Sequence, residues 1–168
     1  VSVGLLINDD PVAGIDYAPL WGGRGCTFIF CDINSPVIVN GQVVSPEDLS
    51  VASEPEGIQI TAGSKIHNDF NYSSFRGKVR TAGAAVINII APLIHSAVAG
   101  TIITPCNIWD ITAAHAIVKR AGLDFSYYSG KAVDYKELYG RSVCRDFIVS
   151  GYSPVCAEIR NRFIKISQ

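Results

Sequence analysis

The sequence predicts a layered α/β domain that opens with an antiparallel meander and continues as a helix-rich α/β layer. Three observations predict it. In the first third, short runs of Val, Ile, Thr and Phe alternate with Asn, Asp, Pro and Gly turn signals at close spacing. In the second half, long apolar stretches bounded by small residues and caps alternate with short strand-like runs, which argues for helices layered on a sheet. The composition is that of a chain with a core: 48% of its 168 residues are hydrophobic and 17% are charged.

The elements follow in order. Val1 to Asn8 reads as a buried-looking strand, Asn8-Asp9-Asp10-Pro11 as a turn, Val12 to Tyr17 as a second strand and Cys26 to Cys31 as a third, after a turn through Trp21-Gly22-Gly23-Arg24-Gly25. Val37 to Val39, Asn40-Gly41 and Gln42 to Val44 make a hairpin, because Asn-Gly favours the type I′ turn. Ser45-Pro46-Glu47-Asp48 starts a helix or turn, with Pro at its first position. Gly57 to Ala62 is a strand, the polar stretch from Gly63 to Gly77 a loop with at most a short helix, and Lys78 to Thr81 a short strand. Gly83 to Ala99 is a buried helix disturbed by Pro92. Asp110 opens the clearest helix as its N-cap, and that helix ends with Lys119-Arg120 in the last turn and Gly122 at C′. Leu123 to Tyr128 and Phe147 to Gly151 are strands, with a turn at Ser129-Gly130-Lys131. Ser153-Pro154 starts a last helix reaching about Ile166. The whole is read as one domain, residues 1–168, with a strand-rich part over 1–62 and a helix-rich part over 63–168.

Bulk properties exclude several functions. The net charge is −1 and Lys and Arg never cluster beyond two neighbours, so neither a nucleic-acid polymer nor an anionic membrane is an expected partner. The apolar runs are too short to span a bilayer. Five cysteines with irregular spacing and no Cys-x-x-Cys pair argue against zinc; they are expected as reduced thiols filling gaps in a cytoplasmic protein. The chain opens with Val1 inside a strand, so more protein is expected before it.

Three blocks carry a resemblance. The first is Val1-Ser-Val-Gly-Leu-Leu-Ile7, Gly14-Ile-Asp-Tyr-Ala-Pro19 and Asn40-Gly41. The second is Arg80-Thr-Ala-Gly-Ala-Ala85. The third is Trp109-Asp-Ile-Thr-Ala-Ala114 followed by Lys119-Arg-Ala-Gly122. In order and spacing they resemble the inositol monophosphatase family over nearly the whole chain, with Ala62-Gly-Ser-Lys-Ile-His67 similar to the element between the first two. The resemblance implies a partial, sugar-phosphatase-type layered fold, corresponding to the C-terminal half of the family's domain. It implies Mg²⁺-dependent hydrolysis of a small phosphomonoester by the intact protein: an inositol monophosphate, or a related sugar or nucleotide phosphate. A 3′(2′),5′-bisphosphate nucleotidase is one alternative, towards which Tyr17-Ala-Pro19 leans. A truncated or degenerate family member acting as a binding or assembly module is the other. A homodimer is expected, since the family is commonly dimeric and the chain is apolar.

The resemblance also assigns residues. Asp110 stands at the family's C-terminal metal ligand; a carboxylate there suits the hard Mg²⁺ ion, and it equally suits an N-cap bonded to the Ala113 N–H or a neighbour. Gly83, Ala84 and Ala85 fall where substrate hydroxyl or phosphate contacts are made by backbone N–H groups, or where small residues simply let a helix pack closely. Ala84 replaces the usual hydroxyl residue. Ser64 and Lys65 are substrate-binding candidates, Lys65 as a point charge for phosphate. His67 is a possible acid or base or a surface-loop residue. His115 is expected to crowd its helix without a metal partner, His95 to end a helix, and Trp109 to be core or cleft wall. The stretch Ile102 to Ile108 has no acid where inositol-binding relatives carry one. The family's first metal motif, Asp-Pro-x-Asp-Gly-Thr/Ser, is absent from the 168 residues, and Asp9-Asp10-Pro11 does not replace it.

Overall fold

Asn8 and Asp9 both adopt positive φ (51° and 67°), and this two-residue turn starts the first sheet. The structure is a computed structural model and describes residues 1–21, 26–44, 57–140 and 142–166. The turn is two residues shorter than expected, so Pro11 lies inside a strand. It stands opposite Leu6, where the register shifts. Strands β1 (Ser2–Ile7), β2 (Asp10–Ala18), β3 (Thr27–Cys31), β4 (Val37–Val39) and β5 (Gln42–Val44) form an antiparallel meander in that order. Asn40 and Gly41 turn the last hairpin with φ of 49° and 84°, and Asn40 Oδ1 accepts the Phe28 N–H at 2.8 Å. The turn at Gly22 to Gly25 and the start at Ser45 to Asp48 lie outside the described residues. Strand β1 is not buried. It is the sheet's edge, and Val3, Leu5 and Ile7 are exposed on one face together with Ile15, Tyr17 and Phe28 from β2 and β3.

The second sheet has the order β11-β13-β9-β6-β8, from β6 (Gln59–Ala62), β8 (Lys78–Arg80), β9 (Val98–Ile103), β11 (Asp124–Tyr127) and β13 (Ile148–Gly151). Strand β6 is parallel to both β8 and β9, while β13 runs antiparallel to β9 and β11. Between the two sheets lie helices α1 (Ala85–Ile94) and α2 (Thr112–Arg120), around Ile29, Ile89, Ile90, Ile111, Ile117 and Ile148. On the far face of the second sheet lies α4 (Ser153–Arg162), over a second core built on Phe70, Phe75 and Phe163. The layers therefore run sheet, helices, sheet, helix.

Several expectations need correction. The apolar run read as one helix from Gly83 to Ala99 breaks after Ile94, and Val98 to Ile103 forms a strand buried at every residue. Pro92 sits in the last turn of α1. Its missing N–H leaves the Asn88 carbonyl free, and the Thr61 hydroxyl donates to that oxygen at 2.9 Å. The Gly63 to Gly77 loop contains a 3₁₀ turn at Ile66–Asn68 and a short strand β7 (Phe70–Asn71), which pairs with β14 (Ile164–Lys165). The last helix accordingly stops at Arg162. Two further short elements are β10 (Cys106–Asn107), paired with β12 (Val143–Cys144), and α3 (Tyr135–Tyr139), capped by Asp134 Oδ1 on the Lys136 N–H at 2.9 Å. The end of α2 is as expected. Gly122 has φ 77°, its N–H bonds the Lys119 carbonyl and the Leu123 N–H bonds that of Val118, a Schellman arrangement.

Candidate active site

Asp110 does not cap α2. It closes a 3₁₀ turn over Ile108–Asp110, and α2 begins at Thr112, whose hydroxyl donates back to the Ile108 carbonyl at 2.7 Å. The Asp110 carboxylate points back along the chain: Oδ2 accepts the Asn107 N–H at 3.0 Å, and no bond runs to Ala113. Asp110 is half-buried and keeps Oδ1 uncommitted among the described residues. Trp109 beside it is 61% exposed, which overturns a core role.

Two glycines fix the depth at which this helix start sits. A Cβ on Gly4 would lie 2.7 Å from the Ala113 nitrogen, and one on Gly14 would lie 2.3 Å from the Ala113 oxygen. The first turn of α2 thus rests directly on the backbone of β1 and β2.

The same face carries Asp16, two residues along β2 from Gly14. It is 2% exposed, and neither carboxylate oxygen has a hydrogen-bond partner among the described residues. Burial pushes its pKa up to about 6. The Ser2 hydroxyl opposite it and the positive charge of the chain's amino terminus pull the other way, and burial outweighs both. Asp16 was not singled out in the sequence.

The topology gathers the substrate-binding candidates. Ser64 and Lys65 follow β6, Gly83 to Ala85 follow β8, and Asp110 follows β9 through the short β10. Because β8, β6 and β9 are adjacent and parallel, all three segments leave the same end of the sheet, the carboxyl end, where open α/β sheets bind ligands. Contacts tie the ends together. Gly63 N–H donates to the Ile102 carbonyl at 2.9 Å, and a Cβ on Gly63 would meet Thr104 at 3.0 Å. The Asn88 side chain, buried in α1, accepts the Ala82 N–H at 3.0 Å and donates to the Ala62 carbonyl at 3.4 Å, holding the ends of β6 and β8 to one amide.

Within that region, Ser64 and His67 line a pocket of about 150 Å³ with Arg80 and Thr81, and Lys65 is exposed outside it. Gly83 has φ 81° and Ala84 is extended, so α1 starts without any side-chain cap. His95 ends α1, its Nδ1 accepting the Ala97 N–H at 3.3 Å. His115 does not line the pocket and is half-buried on α2. Its ring stacks on Phe125 at 3.9 Å and its Nδ1 meets the Tyr135 hydroxyl at 3.0 Å; burial lowers its pKa to about 3.

Among the described residues, no three His, Cys, Asp or Glu side chains converge as a metal cage. Asp110 alone does not meet the six or so oxygen ligands of Mg²⁺. The described residues therefore do not by themselves fit the ion.

The fold is a layered α/β domain of the sugar-phosphatase type, present in part. The sequence profile of the inositol monophosphatase family matches residues 1–154, and the chain belongs to that family. The inositol monophosphatase of Anabaena (Nostoc) sp. PCC 7120 superposes with a TM-score of 0.69 at 18% identity, over 96% of this chain and 62% of that one. Inositol monophosphatase II of Staphylococcus aureus MSSA476 gives 0.74 at 15% identity, over 97% and 60%. SaIMPase-II, solved with inositol monophosphate and with 2′-AMP, gives 0.70 at 15% identity in both structures, over 97% of this chain and 61% and 60% of the other. The chain thus spans about 60% of the length of the solved structures it matches. A comparison with curated proteins gives no match.

Proposed function

We propose that this chain is one part of a phosphomonoesterase. In this reading it contributes the Asp110 carboxylate as one Mg²⁺ ligand, and the α1 start at Gly83, Ala84 and Ala85 with Ser64 and Lys65 as the substrate side. In the same reading a further part of the natural protein supplies the remaining carboxylates. The reading is carried by one observation: three candidate segments, far apart in sequence, emerge at the same end of three adjacent parallel strands. The backbone N–H groups at the uncapped start of α1 suit a phosphate oxygen, and Lys65 adds positive charge at the same sheet end. The substrate is a small phosphomonoester. An inositol monophosphate and a nucleotide monophosphate are both retained, since SaIMPase-II was solved with one of each. The reading includes a homodimer and a cytoplasmic setting. The exposed apolar face of the first sheet supports the former, and no described helix is long and apolar enough to cross a membrane.

The test uses the full natural product of the gene. Phosphate release from inositol monophosphate and from 2′-AMP is measured with Mg²⁺ and with chelator, for the wild type and for Asp110→Asn. The variant keeps an oxygen for the Asn107 N–H and removes the charge, so its fold should be unchanged by circular dichroism. Mg²⁺-dependent release should fall to background. Undiminished release in Asp110→Asn would remove the assigned role. No Mg²⁺-dependent release from the intact wild type would favour the non-catalytic binding or assembly module instead.

A further inference from the structure

Cys106 and Cys144 stand directly opposite each other in the antiparallel β10–β12 pair. Directly opposed residues on antiparallel strands point to the same face, with Cα atoms about 4.5–5.5 Å apart. A disulfide needs about 4.4–6.8 Å. The two thiols are free, and they share one environment. Cys144 is fully buried against the first core, with its thiol donating to the Asp146 carbonyl at 3.4 Å, and half-buried Cys106 packs on the same cluster. Cys106 is raised to about 12 by burial first and then by the charge of Cys144, which places the two sulfurs within each other's field. No other cysteine stands opposite a second one: Cys31 shares the first core but faces Gly14 on β2, Cys156 sits in the second core, and Cys26 is exposed.

We propose that Cys106 and Cys144 are a thiol pair oxidised to an intramolecular disulfide by a low-molecular-weight disulfide such as glutathione disulfide. The half-buried Cys106 loses its proton and its thiolate attacks one sulfur of the reagent, forming a mixed disulfide and releasing one reagent thiol. Cys144, deprotonated in turn, attacks the Cys106 sulfur and releases the second thiol. Two protein thiols are oxidised by two electrons, and one reagent disulfide becomes two thiols. The bond forms four residues before Asp110, on the strand whose Asn107 N–H holds that carboxylate. It locks the β10–β12 ladder from which the Asp110 turn is suspended.

The experiment equilibrates the folded chain in glutathione buffers of graded redox ratio until the product distribution is constant. Free thiols are then alkylated, and intact mass and non-reducing peptide mapping are read. The expected product at the oxidising end has lost two hydrogens and contains one cross-linked peptide joining Cys106 to Cys144, while Cys26 carries at most a glutathione adduct. The rate should rise about tenfold per pH unit between pH 7 and 9, because the attacking thiol is far from ionised there. Cys106→Ser, at the half-buried position, should abolish the cross-link while leaving the fold intact by circular dichroism. Glutathione adducts alone, a different pairing, or Cys106 and Cys144 both still alkylatable at constancy would each overturn the assignment.

Discussion

Gly14→Ala is expected to destabilise the chain by about 3 kcal/mol, at the top of the usual range for inserting a methyl into a packed site. The added Cβ would fall 2.3 Å from the Ala113 oxygen and 3.0 Å from its carbonyl carbon. Both are backbone atoms in the first turn of α2, so no side chain can rotate away. Relief requires the helix to lift off the sheet, and Ala113 lies just past Asp110 and the start of α2. The control is Gly140→Ala. Among the described residues, nothing lies within 4 Å of a Cβ added there, and its φ of −71° suits any residue. Its effect should stay within about 0.5 kcal/mol. Urea midpoints of the two variants decide the matter. Equal midpoints would mean that α2 does not rest on β2 as described.

Asp16→Asn is expected to raise stability by about 2–3 kcal/mol at pH 7.5 and to leave it nearly unchanged at pH 4. The Asp16 carboxyl titrates near 6 when folded, against 3.8 unfolded. The folded state therefore prefers the protonated form. Stability is highest below about pH 3.8 and is lost as pH rises to about 6, by about 1.4 kcal/mol per pH unit in the steep part. His115 has the opposite sign. Its folded value of about 3 lies below the unfolded 6.5, so it favours folding fully above 6.5 and costs stability as pH falls towards 3. Over pH 4–6 the two slopes nearly cancel in the wild type. Removing the carboxylate unmasks the histidine, and Asp16→Asn should lose stability on acidification where the wild type is flat. Thermal midpoints between pH 4 and 7.5 measure this. A variant less stable than the wild type at pH 7.5 would show that the carboxylate has a partner.

The meander and the end of α2 were legible in the sequence because their signals are local. Asn40-Gly41 and Asn8-Asp9 supply the positive φ that tight hairpins need, and Gly122 does the same for a helix end. Strand β9 was not legible. Val98 to Ile103 is buried at every residue, so it carries no period-2 alternation to separate it from the apolar helix before it. The start of α2 misled for another reason: Asp110 bonds backwards to Asn107 of strand β10, and the Thr112 hydroxyl closes the turn onto Ile108.

Asp16 is the most instructive omission. Alternation along β2 separates Ala13, Ile15 and Tyr17 from Gly14 and Asp16. Hydropathy alone would bury the first set. The structure buries the second, because only the side of the sheet bearing Gly4 and Gly14 admits a helix backbone, and the face was selected by volume. The carboxylate is carried inward with it. As for the site, the resemblance located its segments, but neither periodicity nor spacing showed that β8, β6 and β9 run parallel and side by side. That arrangement arises from long-range pairing.

The other side of the first sheet has a thermal consequence. In the single chain, with no second copy against this face, Val3, Leu5, Ile7, Ile15, Tyr17 and Phe28 are already hydrated when folded. Heating it to the unfolded state therefore wets less fresh hydrocarbon than its length implies, and the heat-capacity increment falls below the usual ~12–15 cal/mol/K per residue. Its free energy of unfolding accordingly bends less with temperature, giving a broad, shallow dome instead of a sharply peaked one.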